Sequence, residues 1–261
     1  MRTNKAFTLI ELLVVIAIIA TIAAFAVPAL TSALTKGQMT GTVNNARQLY
    51  LAGYQMALDG TTNSDANLAW PGDYASGVTT LKDYAEKLVQ NDYLKASDLP
   101  KILSAPGAVC TATSSGSGSS TTVTLGGTSG LKVYPVTAND GSNVIFAVTS
   151  NYTYDTAFTA SPPSPYGDKG FVVVRKGGDA AVLRKNNATA TSGQEASFES
   201  LVGKIPGEAQ GTVTPGDPTG VLKQPYQFVV DSNSPSLTCV GHSEQSEESH
   251  SRSGRHTNLV V

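Results

Sequence analysis

The sequence predicts an α+β chain: a long N-terminal α-helix packed on a small antiparallel β-sheet. Three observations predict it. Leu9 to Val27 is an apolar run of 19 residues with one charge, Glu11. Beyond Pro28 the apolar positions Met39, Val43, Ala46, Tyr50, Tyr54 and Ala57 recur at helical spacing, with Asn44, Asn45, Gln48 and Gln55 on the other side. After residue 130 the chain breaks into short runs rich in β-formers, divided by Gly, Asn and Pro.

Each element can be justified in turn. If the two helical patterns are continuous, Phe7 to Asp59 is one helix about 80 Å long, ending near Asp59-Gly60. Pro28 removes one backbone hydrogen bond, and Gly37 and Gly41 weaken the helix nearby, so a kink is expected at Pro28. Residues 61–79 read as a loop around Trp70-Pro71-Gly72. A short amphipathic helix follows at Leu81–Gln90, with Thr80 and Asp83 as its capping signal. Leu94 to Pro106 reads as a connection. Residues 111–130 are almost all Ser, Thr and Gly, which favours a flexible loop around a short strand at Thr121–Leu125. Strands are expected at Leu131–Val136, Val144–Thr149, Gly170–Arg175 and Ala180–Arg184. The last two form a hairpin turned by Gly177-Gly178.

The apolar run is long enough to cross about 30 Å of hydrocarbon. Arg2 and Lys5 precede it, which places the N-terminus in the cytoplasm and the remainder outside it. Three readings compete. A cleaved secretory signal has Ala24-Phe25-Ala26 as a small-x-small site, but an acid inside the apolar core opposes it. A plain anchor explains the length and leaves Glu11 without a reason. A carboxylate within lipid costs up to roughly 3 kcal/mol and calls for a partner.

The third reading rests on the string Lys5-Ala6-Phe7-Thr8-Leu9-Ile10-Glu11. It closely resembles the processing site of the type IV pilins and type II secretion pseudopilins. The resemblance implies a pilin-like fold. It implies cleavage by prepilin peptidase between Ala6 and Phe7, and N-methylation of the new Phe7 amine. This chain has Ala6 where the family usually has Gly. Glu11 matches the family's acid and Pro28 its mid-helix proline. As subunits stack, Glu11 of one would meet the Phe7 ammonium of its neighbour, an attraction strengthened by a low dielectric and opposed by desolvation of both groups.

Composition narrows the function classes. The chain has 18 Lys and Arg against 20 Asp and Glu, and without Arg2 and Lys5 the balance is −4. No basic stripe points to nucleic acid. Every His lies at 242 or beyond, so a Ser-His-Asp triad or His-ligated zinc has no material in the folded region. Asn151-Tyr-Thr153 and Asn187-Ala-Thr189 match the glycosylation sequon, and chance explains them in so Asn- and Thr-rich a chain. Cys110 and Cys239 would pair in an oxidising compartment or remain two thiols; the sequence leaves both open.

Asp217-Pro218-Thr219-Gly220 followed by Gln224-Pro225-Tyr226 loosely resembles the Asp-Pro-Trp-Gly-x-Pro-Tyr segment of the major pseudopilin. In that family nearby acids bind calcium. Here Asp217 and Asp231 are the calcium candidates, but Ser232, Asn233 and Ser234 follow, and a solvent-exposed turn is the stronger reading. From Gly241 to His256 there is no apolar residue, and all three His of the chain are there. That composition predicts disorder rather than a metal tail. It also suggests a departure from the ancestral end by frameshift or insertion, which reading the gene in its other frames would test.

The sequence therefore divides into a leader (1–6), a transmembrane and assembly segment (7–28), an amphipathic continuation (29–60), an exported α+β domain (61–240) and a polar tail (241–261). The expected role is structural: a non-enzymatic, cofactor-free pseudopilin of a type II secretion fibre. Its partners would be further copies or other pseudopilins, prepilin peptidase, the inner-membrane assembly platform and its cytoplasmic ATPase. A surface type IV pilin is the alternative within the class. A secreted or anchored binding domain is the alternative outside it.

Overall fold

The computed structural model describes residues 8–75, 78–159, 165–218 and 220–222. Its first element is α1, Leu9–Asn63, a helix of 55 residues capped by Thr8. The helix runs through Pro28, Gly37 and Gly41 without interruption. It also runs past Asp59-Gly60, where the sequence pattern places its end. Gly60 serves close packing, not termination: a Cβ there would lie 1.6 Å from the Leu68 carbonyl oxygen. Thr61 and Thr62 continue the helix with hydroxyls donated to Ala57 O and Leu58 O. Ser64 ends it in the left-handed region at φ 55°, its N–H returning to Gly60 O.

Helix α1 has two halves with different surroundings. No residue from Thr8 to Gln38 is buried. From Met39 onward one stripe is buried: Met39, Val43, Ala46, Leu49, Tyr50 and Met56 lead it. The stripe differs from the predicted one at Tyr54, which is 43 % exposed, while Leu49 and Met56 are fully covered. A straight helix of 3.6 residues per turn carries Tyr54 to the edge of the face, where its ring stacks on Tyr50 at 5.9 Å.

Helix α2, Leu81–Gln90, begins at the expected capping box: Thr80 and Asp83 exchange side-chain and backbone bonds. The connection after it is not featureless. A 3₁₀ turn at Ala96–Asp98 leads into α3, Leu99–Leu103. Pro100 sits in the first turn of α3, where its missing N–H costs nothing. Leu99, Ile102 and Leu103 are buried.

The Ser/Thr/Gly stretch is a hairpin, not a loop around one strand. β1, Cys110–Ser115, pairs antiparallel with β2, Thr122–Gly127. Helix α2 supplies the order that the composition lacks. Glu86 accepts the Val123 N–H at 2.8 Å, and Gln90 donates to Thr121 O at 2.7 Å. Val123 and Leu125 plug the hairpin into the core.

The main sheet has four antiparallel strands in sequence order: β3, Leu131–Val133; β4, Ile145–Thr149; β5, Gly170–Arg175; and β6, Ala180–Arg184. β3 is half the expected length, because beyond Val133 Pro135 has no N–H for a ladder. The β5–β6 hairpin is as predicted; Gly178 takes φ 86° in its turn and donates to Arg175 O. β4 and β5 are buried at every residue, which explains their weak alternation. On one face Phe146 and Val174 pack with Leu49, Met56, Trp70 and Leu88. On the other, Ile145, Val148, Phe171 and Val173 pack with Tyr134, Tyr152 and Tyr154. Phe198 of α4, Glu195–Leu201, closes that second layer. The tail after residue 222 lies outside the described residues.

Candidate functional site: the head of the long helix

The charged end of α1 is built by four consecutive residues, Thr8-Leu9-Ile10-Glu11. Thr8 is extended (φ −84°, ψ 150°) and accepts the Glu11 N–H at 3.3 Å. Glu11 folds back: its Oε2 accepts the Thr8 N–H at 2.9 Å and the Thr8 hydroxyl at 2.8 Å. The carboxylate thus sits at the positive end of the helix and satisfies an N–H that has no intrahelical partner. Both bonds fall on Oε2. Among the described residues Oε1 has no donor.

Below this polar tip the helix is exposed and apolar. Leu9 is 88 % exposed and Phe25 82 %. The two Thr hydroxyls within it, Thr21 and Thr31, donate to Ile18 O and Pro28 O, so they present methyl groups and spent donors outward. An α-helix satisfies its own backbone groups, which is the condition for crossing hydrocarbon. Ala6 and Phe7, the expected cleavage residues, lie outside the described residues.

The remaining candidates are placed as follows. Asp217 is half-buried. Its carboxylate accepts Lys132 Nζ at 2.7 Å, the Tyr134 hydroxyl at 2.7 Å and the Tyr154 N–H at 3.4 Å. Lys132 supplies the positive charge there and also donates to Tyr152 O. This cluster, with Leu222 N–H donating to Val133 O, fastens the segment before residue 222 alongside β3. Asp231 lies outside the described residues. Among the described residues no three His, Cys, Asp or Glu side chains converge as metal ligands. Cys110 is a buried thiol at the start of β1, and burial pushes its pKa up to about 11. Cys239 lies outside the described residues. Asn151 is a structural residue, buried, with its amide donating to Gly167 O and Gly170 O.

Comparison with known proteins bears on the helix head alone. The family that matches is the prokaryotic N-terminal methylation motif, over residues 1–27. The chain carries a prepilin-type methylation motif. That motif is the hallmark of the type IV pilins and pseudopilins. No curated protein and no solved structure gives a match.

The fold agrees with the motif. A long N-terminal helix followed by small antiparallel sheets is the α+β, pilin-like arrangement. The motif marks the chain for prepilin peptidase and for assembly with other pilin-type subunits. The exposed apolar half of α1 fits anchoring in the inner membrane. One residue of the prepilin site escapes a reading of charges and hydropathy: Thr8. Its signal was present, because Thr-x-x-Glu ahead of an apolar run is a capping box. The Lys132–Asp217 pair has no such signal, since 85 residues separate its partners.

Proposed function

We propose that this chain is a pseudopilin of a type II secretion fibre, cleaved between Ala6 and Phe7 and polymerised through α1, with no catalytic activity of its own. The observation that carries the reading is the Thr8–Glu11 box at the head of the exposed apolar half of α1. The box holds one carboxylate oxygen and leaves Oε1 for a donor from outside. After cleavage, the N-methylated Phe7 ammonium of the neighbouring subunit is that donor. The pairing sets the axial register of the stack. Arg2 and Lys5 keep the N-terminus cytoplasmic, and the sheet domain lies in the periplasm, with the assembly platform and its ATPase driving growth from below. The likeness of the Asp217-Pro218 segment to the major pseudopilins favours the secretion fibre over a surface pilus.

The test begins with the N-terminal mass of protein taken from native membranes. A chain starting at N-methylated Phe7 is expected; one starting near Val27 overturns the reading in favour of a secreted domain. Glu11→Ala is then expected to abolish cross-linking between subunits. Thr8→Val removes one acceptor and one donor of the box, about 1 kcal/mol of capping, and should weaken cross-linking several-fold, with Thr8→Ser restoring it. Fibres confined to the periplasm support the pseudopilin assignment, and fibres on the cell surface replace it with a pilin.

A further inference from the structure

Where α1 leaves its apolar stretch, it meets the sheet domain. From Ile22 to Leu30 no residue is polar; Thr31 is the first. Across that boundary, Pro28, Thr31, Ser32, Thr35 and Lys36 line one side of a groove of about 420 Å³, to which Lys169 also contributes. Lys169 belongs to the turn before β5. That turn is fixed to α1 by Tyr166, whose hydroxyl bonds the Thr42 hydroxyl at 2.5 Å and donates to Gln38 O at 3.2 Å. Two lysines distant in sequence thereby line one groove.

Among the described residues neither Lys36 nor Lys169 forms an ion pair. The adjacent acid, Asp168, is bound by Lys185 at 2.8 Å, and Lys169 acts on it only through space. Both lysines are exposed, and Thr35 between them is half-buried.

Depth identifies what such a groove would hold. Lys36 lies six residues past Leu30, about 9 Å along the helix axis. Helical side chains lean toward the N-terminus, and lysine extends its stem to place its ammonium at a water boundary. The Lys36 ammonium therefore falls in the headgroup layer, which is about 5–7 Å thick on each side of the hydrocarbon. We propose that the Lys36–Lys169 groove binds the phosphate diester of an anionic phospholipid headgroup, seating the domain on the membrane before the subunit enters a fibre. The ammonium groups meet the phosphate, and the Ser32 hydroxyl is placed to donate to it. The inference rests on the anchored reading of α1; if anchoring itself fails, the protein is released from membranes by alkaline carbonate, a separate result.

The experiment is native mass spectrometry of the processed full chain in detergent, with equimolar phosphatidylglycerol and phosphatidylcholine added. The expected result is preferential retention of phosphatidylglycerol. Each lysine changed to Gln should lower that preference about fivefold, and Lys36→Gln with Lys169→Gln about 25-fold. Equal retention of the two lipids by the native chain overturns the proposal, as does a preference untouched by the double substitution. Loss of the preference in millimolar inorganic phosphate assigns the groove to free phosphate and overturns the lipid. A double substitution that changes the oligomer distribution but not lipid retention assigns it to a second copy of the chain, which overturns it also.

Discussion

A carboxylate at the head of an apolar helix is tolerated when its hydrogen bonds are local, and Thr8 makes them so for Glu11. Glu11 and its place in the motif are legible from sequence because charge in an apolar run stands out. The contribution of Thr8 is legible only to a reader who tests the capping pattern there as well as at Thr80. Asp217 is legible as a carboxylate near a proline, but its occupation by Lys132 is a product of the sheet. Cys110 allows a pH prediction at the same scale. Burial raises its thiol from the ordinary 9.0 to about 11. Between those values the unfolded thiol has lost its proton and the folded one retains it. Stability owed to this group is therefore complete below pH 9 and lost as pH rises toward 11. In reduced protein, the stability advantage of the native chain over Cys110→Ala should be constant from pH 6 to 8.5. It should shrink by roughly 2–3 kcal/mol across pH 9 to 11 in urea titrations. A constant difference across that window would contradict the assignment.

At the scale of elements, what was readable depended on where each element gets its order. Helix α2 and the β5–β6 hairpin carry their own signals, a capping box and a glycine turn, and they fall on the predicted residues. The β1–β2 hairpin takes its order from Glu86 and Gln90 of α2, so its own Ser/Thr/Gly composition misleads. The end of α1 lies beyond the point the sequence pattern indicates, because Gly60 reads as a stop while its role is to admit the Leu68 carbonyl. Gly53 illustrates the same use of a helical glycine. A Cβ there would stand 2.1 Å from the Tyr84 hydroxyl oxygen, which is buried and has no hydrogen-bond partner among the described residues. Gly53→Ala gains about 1 kcal/mol of helix propensity and loses about 1–3 kcal/mol to overpacking. The expected net is a destabilisation of about 1 kcal/mol in urea unfolding. Tyr84→Phe removes the clashing, unsatisfied oxygen. Combined with Gly53→Ala it should restore or exceed native stability, a non-additivity that a loss through backbone distortion would not produce.

Across the whole molecule, the division of labour follows the burial along α1. The first buried residue of the helix is Met39, and every core contact of α1 comes from it or from residues after it. The half before Met39 therefore adds no buried apolar surface to the domain and touches it only at its last turn, where Gln38 O accepts the Tyr166 hydroxyl, while the half after it forms one wall of the core through Leu49, Tyr50 and Met56. A chain starting at Ala29 should fold with a melting temperature within about 2 °C of the full chain in detergent, and should remain soluble and monomeric. A chain starting at Val43 loses Met39 and its contact with Val172 and should melt several degrees lower, since burial of a methionine side chain contributes about 1.5–3 kcal/mol. If the Ala29 chain were instead unstable, the apolar half would have a folding role beside anchoring, and helix and domain would form one cooperative unit. The burial pattern argues for two separable tasks on one continuous helix: a membrane and assembly half that keeps its apolar surface for lipid and neighbouring subunits, and a bracing half that gives the sheet something to fold against.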